Sequence, residues 1–146
     1  MQLCNSRLCL VLAIVPLSAG CGGEPNLISV TGTVKIDGRP AEGVQVSFWP
    51  ADAAGQNSQF RFALGMTARD GRFDLRSVSE KGIEAGDYKV TFSRSVAGGK
   101  VVTDLKKKKD NSRQVLPERY TDQNTTDATA RVTKDNHDFT FDIASK

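Results

Sequence analysis

The chain has 146 residues, a formal net charge of +3 and 25% charged side chains. This length accommodates one domain, and so weak a positive charge gives no reason to expect a nucleic-acid partner. The three cysteines are Cys4, Cys9 and Cys21. Cleavage before Cys21 would leave a single thiol, so a disulfide framework within the remaining chain is excluded.

The N-terminal segment has the pattern of an export signal. Arg7 supplies a positive charge, residues 8–17 form an apolar run, and residues 18–20 have small side chains. The run is too short for a transmembrane helix, which needs about 20 apolar residues. The sequence therefore predicts a signal peptide over residues 1–20 that is cleaved before residue 21.

Residues 17–21, Leu-Ser-Ala-Gly-Cys, resemble a bacterial lipobox. Leu17 stands four residues before the cysteine instead of three, which is a departure from that pattern. The resemblance implies a diacylglycerol thioether and an acylated amino group on Cys21, followed by a lipidated tether over residues 21–27. Two or more acyl chains hold a protein durably on a membrane. Glycine at position 22, by resemblance to enterobacterial sorting, favours the outer over the inner membrane of the cell envelope.

Hydrophobic and polar side chains alternate through most of residues 28–146, which is typical of half-buried strands. Turn residues at Asp37–Pro40, Asp70–Gly71 and Ala85–Asp87 separate the alternating segments. The sequence thus predicts one all-β domain over residues 28–146, an antiparallel Greek-key β-sandwich of about seven strands, transthyretin-like or Ig-like. The predicted strands lie within Ile28–Ile36, Val44–Phe48, Phe60–Met66, Phe73–Leu75, Tyr88–Phe92, Val101–Leu105, Thr129–Thr133 and Phe139–Ile143.

Several strings resemble one domain family. They are VTGTVKIDGRPAEGVQVSF at residues 30–48, TARDGRFDL at 67–75 and AGDYKVTF at 85–92. Together they resemble the carboxypeptidase regulatory-like, transthyretin-like β-sandwich domain. The strings at 116–120 and 139–143 look like the version carried by small lipoproteins of planctomycete-type bacteria. These motifs consist of turns and core positions, so the resemblance implies a fold and almost nothing about function.

The polar residues give no pattern for catalysis. His137 is the only histidine, and a metal site or general base needs partners that the mature domain lacks. Glu118 and Asp122 bracket Tyr120 and could offer oxygen ligands to Ca²⁺, but their spacing matches no calcium loop. Transthyretin-like hydrolases carry several histidines and a C-terminal Tyr-Arg-Gly-Ser motif that this chain lacks. We predict that the protein is not an enzyme and has no catalytic residue, cofactor or metal.

Two features suggest contacts with other molecules. The run Lys106, Lys107, Lys108 and Lys109 predicts either a solubilising loop or contact with an anionic surface, at about 1 kcal/mol per lysine. Trp49 is out of phase with its strand neighbours, so its side chain is predicted on the outer face. It either covers the loop over residues 51–59 or, with Tyr120, forms a ligand platform.

These observations lead to one preferred hypothesis and two alternatives. The preferred hypothesis is a non-enzymatic, membrane-anchored lipoprotein that serves as a structural or protein-interaction module of the cell envelope. Such a sandwich would recruit a neighbour through an edge strand or its loops. The first alternative is a carbohydrate- or solute-binding accessory lipoprotein, and the second is an unrecognised hydrolase. The expected partners are a membrane, through the lipid on Cys21, and an envelope protein or glycan.

Overall fold

The computed structural model describes residues 26–52, 61–77, 82–103 and 111–146. Within these ranges the chain forms short strands and one 3₁₀ helix. The predicted signal peptide, Cys21 and Lys106–Lys109 lie outside the described residues. The elements are β1 (Thr31–Ile36), β2 (Arg39–Pro40), β3 (Val44–Pro50), β4 (Ala63–Met66), β5 (Arg72–Asp74), β6 (Arg76–Ser77), β7 (Gly86–Ala97), β8 (Lys100–Val101), β9 (Arg113–Gln114), the 3₁₀ helix (Glu118–Tyr120), β10 (Thr129–Val132) and β11 (Asp138–Ile143).

The strands form two sheets that pack into a sandwich. In the first sheet β1 is central, with β11 on one side and β2 and β5 on the other. In the second sheet the order is β10-β7-β3-β4-β6, and β8 and β9 pair with the far end of β7. The β1–β11 pair is parallel, and the other strand pairs are antiparallel. The predicted all-β sandwich is confirmed, with this parallel pair as a departure from a purely antiparallel arrangement.

The core lies between the sheets and follows the alternation in the sequence. Burial of each large apolar side chain stabilises the fold by about 1.5–3 kcal/mol. The largest fully buried side chains come from strands of both sheets and from the segments that adjoin them. They are Tyr88, Phe48, Phe92, Leu75, Ile83, Val30, Val34, Val44, Val46, Val90 and Val132.

The strand β4 turns its large side chains away from the core. The sequence places Phe62, Leu64 and Met66 on one face, and they do share a face, but it is the outer one. The small residues Ala63 and Gly65 face inward and are buried. A Cβ on Gly65 would lie 2.6 Å from the Asp74 carbonyl oxygen. The inner side of β4 is therefore filled by the segment that follows β5.

Gly32 allows β11 and β5 to approach β1 closely. A Cβ at this position would lie 2.6 Å from Cζ of Phe73 and would clash with the Phe139 carbonyl oxygen. Real Cβ atoms do not tolerate such distances, because packed interiors leave no free volume. This glycine therefore permits the pairing that fixes β11 at the edge of the first sheet.

Candidate functional site

One side of the sandwich carries an edge of each sheet. The strands β10 and β11 are joined by a tight turn in which Thr133 and Asn136 exchange backbone hydrogen bonds of 3.0 and 3.2 Å. Although consecutive, the two strands belong to different sheets. β10 pairs with β7 and β11 pairs with β1, and in the described part of the chain no strand pairs with the other side of either.

The backbone of β11 presents a regular set of hydrogen-bonding groups at this edge. The Thr31 N–H donates to the His137 carbonyl and the Asp37 N–H to the Ile143 carbonyl, both at 3.0 Å. In a parallel pair, alternate residues direct both backbone groups to the same neighbour. The residues between those bonded to β1 therefore direct their N–H and C=O groups toward the open edge. They are Asp138, Thr140 and Asp142.

The inner face of β11 carries two aromatic side chains that the fold covers only in part. Phe139 and Phe141 point inward but are half-buried, because β11 is the last strand of its sheet. Their rings stack on each other at 6.1 Å and an interplanar angle of 19°. They lie 6.0 and 6.3 Å from the Phe48 ring, and Phe141 lies 5.1 Å from Phe92. Both rings therefore keep part of their surface exposed, and both belong to a strand that has a sheet neighbour on one side only in the described part of the chain.

The outer face of β11 is acidic. Asp138, Thr140 and Asp142 are exposed and lie on one face. Asp138 accepts a hydrogen bond from the Thr31 hydroxyl at 3.1 Å, and Asp142 accepts one from the Gly38 N–H at 3.0 Å. At about 3.3 Å per residue, the two carboxylates are spaced roughly 13 Å apart along the strand.

Tyr120 holds the segment that follows β11. Its ring packs 6.4 Å from Phe92, edge to face. Its hydroxyl accepts hydrogen bonds from the Ala144 N–H at 3.4 Å and from Nη2 of Arg119 at 3.2 Å. The Arg119 guanidinium covers the ring at 4.7 Å and also donates to the Lys146 carbonyl at 2.9 Å. Tyr120 is therefore committed to contacts within the fold.

Trp49 lies on the outer face of β3, as its phase in the sequence predicts. Its Nε1–H donates to the Thr91 hydroxyl at 3.0 Å, and its ring lies 4.5 Å from Phe62 at 49°. Tyr120 packs on Phe92, whose side chain faces the core on the other side of the same sheet. The structure thus does not bring Trp49 and Tyr120 together. The loop that Trp49 was expected to cover lies mostly outside the described residues.

The buried Tyr88 is connected by a hydrogen bond to the ion pair of Arg61 and Asp52. Tyr88 is 1% exposed, and its hydroxyl donates to the Glu84 carbonyl at 2.6 Å. Arg61 donates from Nε to the same hydroxyl at 3.4 Å and from Nη1 to Asp52 at 2.7 and 2.9 Å. Burial raises the pKa of Tyr88 above its ordinary 10.0, and the nearby Arg61 partly opposes this. The Tyr88 hydroxyl both donates and accepts a hydrogen bond within the fold, so we assign Tyr88, Arg61 and Asp52 a structural role. Arg61 is distant in sequence from Tyr88, and no local pattern pointed to it.

The remaining candidate residues stay separate. His137 is exposed beside the turn before β11, and Glu118 and Asp122 are exposed around the 3₁₀ helix. Oδ1 of Asp122 accepts a hydrogen bond from the Asn124 N–H at 2.7 Å. Within the described ranges, no group of three or more His, Cys, Asp or Glu side chains is arranged to hold a metal ion. Nor does the described part of the chain contain a helix with the length and apolarity to cross a membrane.

A groove lies on the other side of the sandwich, along the hairpin between β4 and β5. Its volume is about 630 Å³, and it is lined by apolar side chains of β4 and by charged side chains of β5 and β6. Leu64 and Met66 are among its apolar lining residues, and Asp70, Arg72 and Arg76 are among its charged ones. The mixed charges of this lining define no single ligand class.

Comparison with known proteins gives little similarity. No protein-family model and no curated protein matches the chain. Among solved structures, the chain is similar to the dioxygenase domain of a dioxygenase carbohydrate-binding protein fusion from the cellulolytic bacterium Streptomyces sp. SirexAA-E. The two share 23% sequence identity at a TM-score of 0.34, over 80% of this chain and 77% of that one. A TM-score this low supports no inference about activity.

Proposed function

We propose that the protein is a non-enzymatic, membrane-anchored lipoprotein of the cell envelope that recruits a partner protein by strand addition at β11. The observation that carries the proposal is the combination of open backbone groups and half-covered aromatic rings on one edge strand. Strand addition uses main-chain hydrogen bonds for affinity and side-chain contacts for specificity. β11 offers the hydrogen-bonding groups at Asp138, Thr140 and Asp142, and Phe139 and Phe141 offer the apolar contacts.

The energetics suit recruitment of an extended segment. Three residues of β11 offer an N–H and a C=O each, and a hydrogen bond contributes a net stabilisation of about 0.5–1.5 kcal/mol. A partner side chain placed against Phe139 or Phe141 would bury additional apolar surface at about 25 cal/mol per Å². The partner segment must lose conformational freedom on binding. A moderate, reversible affinity follows from these opposing contributions.

The lipid on Cys21 would set where recruitment takes place. Thr31, the first residue of β1, lies ten residues after Cys21. A chain of this length reaches at most about 35 Å. The domain would therefore meet partners close to the membrane that holds the lipid, which we propose is the outer membrane.

The anchor is tested by the intact mass of the membrane-extracted protein. We expect a mass equal to residues 21–146 plus acyl groups, and no added acyl mass in a Cys21→Ser variant. An unmodified mass that begins elsewhere in the chain would remove the lipoprotein interpretation. The same preparations, tested on a panel of hydrolase substrates, are expected to show no turnover.

The interaction surface is tested by photo-cross-linking in cells that make the protein. A photoreactive residue is placed at Asp142, on the open edge, and at Arg72, on β5 at the other side of the same sheet. Both positions are exposed. We expect adducts from position 142 that map to one extended partner segment and none of these from position 72. Equal adducts from both positions, or none from 142, would contradict the proposal.

A second candidate function rests on the outer face of the second sheet. Trp49 and Phe62 form a half-exposed aromatic pair there, and aromatic rings of this kind stack on sugars and other apolar faces of ligands. The corresponding proposal is a carbohydrate- or solute-binding module. A glycan array separates the two candidates: binding that is lost in Trp49→Ala and kept in Thr140→Pro would favour this second function.

A further inference from the structure

We infer that β11 selects a basic partner strand, in which Lys or Arg alternates with apolar residues. This inference rests on the proposed function and specifies the partner's chemistry. A strand added to β11 has the same alternation as β11 itself, because successive side chains point to opposite faces. Its inward side chains would meet Phe139 and Phe141, and its outward side chains would lie beside Asp138 and Asp142.

The charges around the two carboxylates differ. On β1, Asp138 has Thr31 as its cross-strand neighbour, whereas Asp142 has Lys35. Lys35 offsets part of the charge of Asp142 from the β1 side. A cation on the added strand beside Asp142 would place this carboxylate between two cations, the added one and Lys35. Beside Asp138, the same cation would be the only one on a neighbouring position, because the β1 neighbour there is Thr31. Asp138 is therefore expected to contribute more to the selection than Asp142.

A second copy of this chain is a poor occupant of the same edge. In an antiparallel pair of two β11 strands centred on Thr140, Asp138 of each copy would face Asp142 of the other. Like charges directly opposite each other destabilise a strand pair, and outward charges on edge strands are a common protection against self-association. The same two carboxylates thus oppose self-pairing and favour a basic strand.

The test uses the full chain in detergent and three peptides of equal length. In each peptide Val alternates with a second residue, which is Lys, Thr or Glu. Affinity is measured by fluorescence anisotropy, and the site by protection of the Thr140 amide from hydrogen exchange. Each cross-strand pair of opposite charge stabilises the complex, and two such pairs should make the Lys peptide bind about 2- to 30-fold more tightly than the Thr peptide. The Glu peptide should bind most weakly.

Variants assign this preference to the edge. In Asp138→Asn with Asp142→Asn, each side chain still has an oxygen that can accept from the Thr31 hydroxyl or the Gly38 N–H. This double variant should bring the Lys and Thr peptides to equal affinity. Asp122→Asn with Asp127→Asn removes the same charge from exposed positions outside β11 and should leave the preference intact.

The outcomes separate the two levels of the proposal. If the Lys and Thr peptides bind wild-type protein equally while protecting the Thr140 amide, the inference about basic partners is wrong and strand addition at β11 stands. If none of the peptides protects that amide, strand addition itself is contradicted. Equal loss of preference in both double variants would indicate a general charge effect and would also overturn the inference.

Discussion

Replacement of Thr140 by proline tests whether β11 has an open edge. Thr140 directs its N–H away from β1, and its side chain is exposed on the outer face. Proline removes a backbone donor and is tolerated on edge strands where that donor faces solvent. Thr140→Pro should therefore break no bond between β1 and β11, and should lower the free energy of unfolding by about 1 kcal/mol or less.

The matched control lies directly beside it. Thr33 on β1 is the cross-strand partner of Thr140 and has the same side chain. It lies in a central strand, between β11 and β5, and the register directs its N–H to β11. Thr33→Pro should therefore lower the free energy of unfolding by about 3 kcal/mol or more, since it removes a ladder bond inside the sheet.

Two assays measure the effect. In thermal unfolding followed by circular dichroism, 1 kcal/mol corresponds to a shift of roughly 2–8 °C. Thr140→Pro should remain close to wild type, and Thr33→Pro should unfold far below it. Binding of the Val–Lys peptide should fall at least about tenfold in Thr140→Pro, which is 1.4 kcal/mol, and persist in Thr140→Val. Equal destabilisation by the two prolines would show that the Thr140 N–H is already bonded, and would refute the open edge.

Three further predictions concern the fold and the anchor. Gly32→Ala should lower the free energy of unfolding by about 3 kcal/mol, because its Cβ would clash with the Phe139 backbone; a chemical denaturation midpoint equal to that of wild type would contradict this. Tyr88→Phe should cost about 1 kcal/mol at pH 7 through loss of the hydrogen bond to Glu84. Because the pKa of Tyr88 is raised in the folded state, its protonated hydroxyl stabilises the fold below pH 10, and this stabilisation is lost as the pH rises through the folded-state pKa. The corresponding decrease in the free energy of unfolding at alkaline pH should be absent in Tyr88→Phe. Cys21→Ser should move the protein from the membrane pellet to the supernatant, whereas continued sedimentation would argue against a lipid anchor.

The local features of the fold follow directly from the sequence. Alternation with period two placed Trp49 on the outer face of its strand, because a strand directs successive side chains to opposite faces. Asp70–Gly71 marked a turn, and Gly71 has a positive φ of 77°. These features depend on a few neighbouring residues, so they can be predicted without knowing how the strands pair.

The edge itself could not be predicted in this way. Phe139 and Phe141 have the same alternation as residues of a central strand, and only the pairing of β11 with β1, about 100 residues away, makes them half-exposed. Likewise, the outward direction of Phe62 and Leu64 results from the segment after β5 filling the inner side of β4. Such non-local packing carries no local signal in the sequence. The predictions for Cys21 and for Lys106–Lys109 concern residues outside the described ranges and remain predictions.

The most direct test of the open edge is hydrogen exchange of the backbone amides of β11 in the full chain without any partner. We expect an alternating pattern: fast exchange at Asp138, Thr140 and Asp142, and slow exchange at Phe139, Phe141 and Ile143, whose amides are directed to β1. Slow exchange at all six positions would mean that the edge is already occupied, and would contradict recruitment of a partner strand at β11.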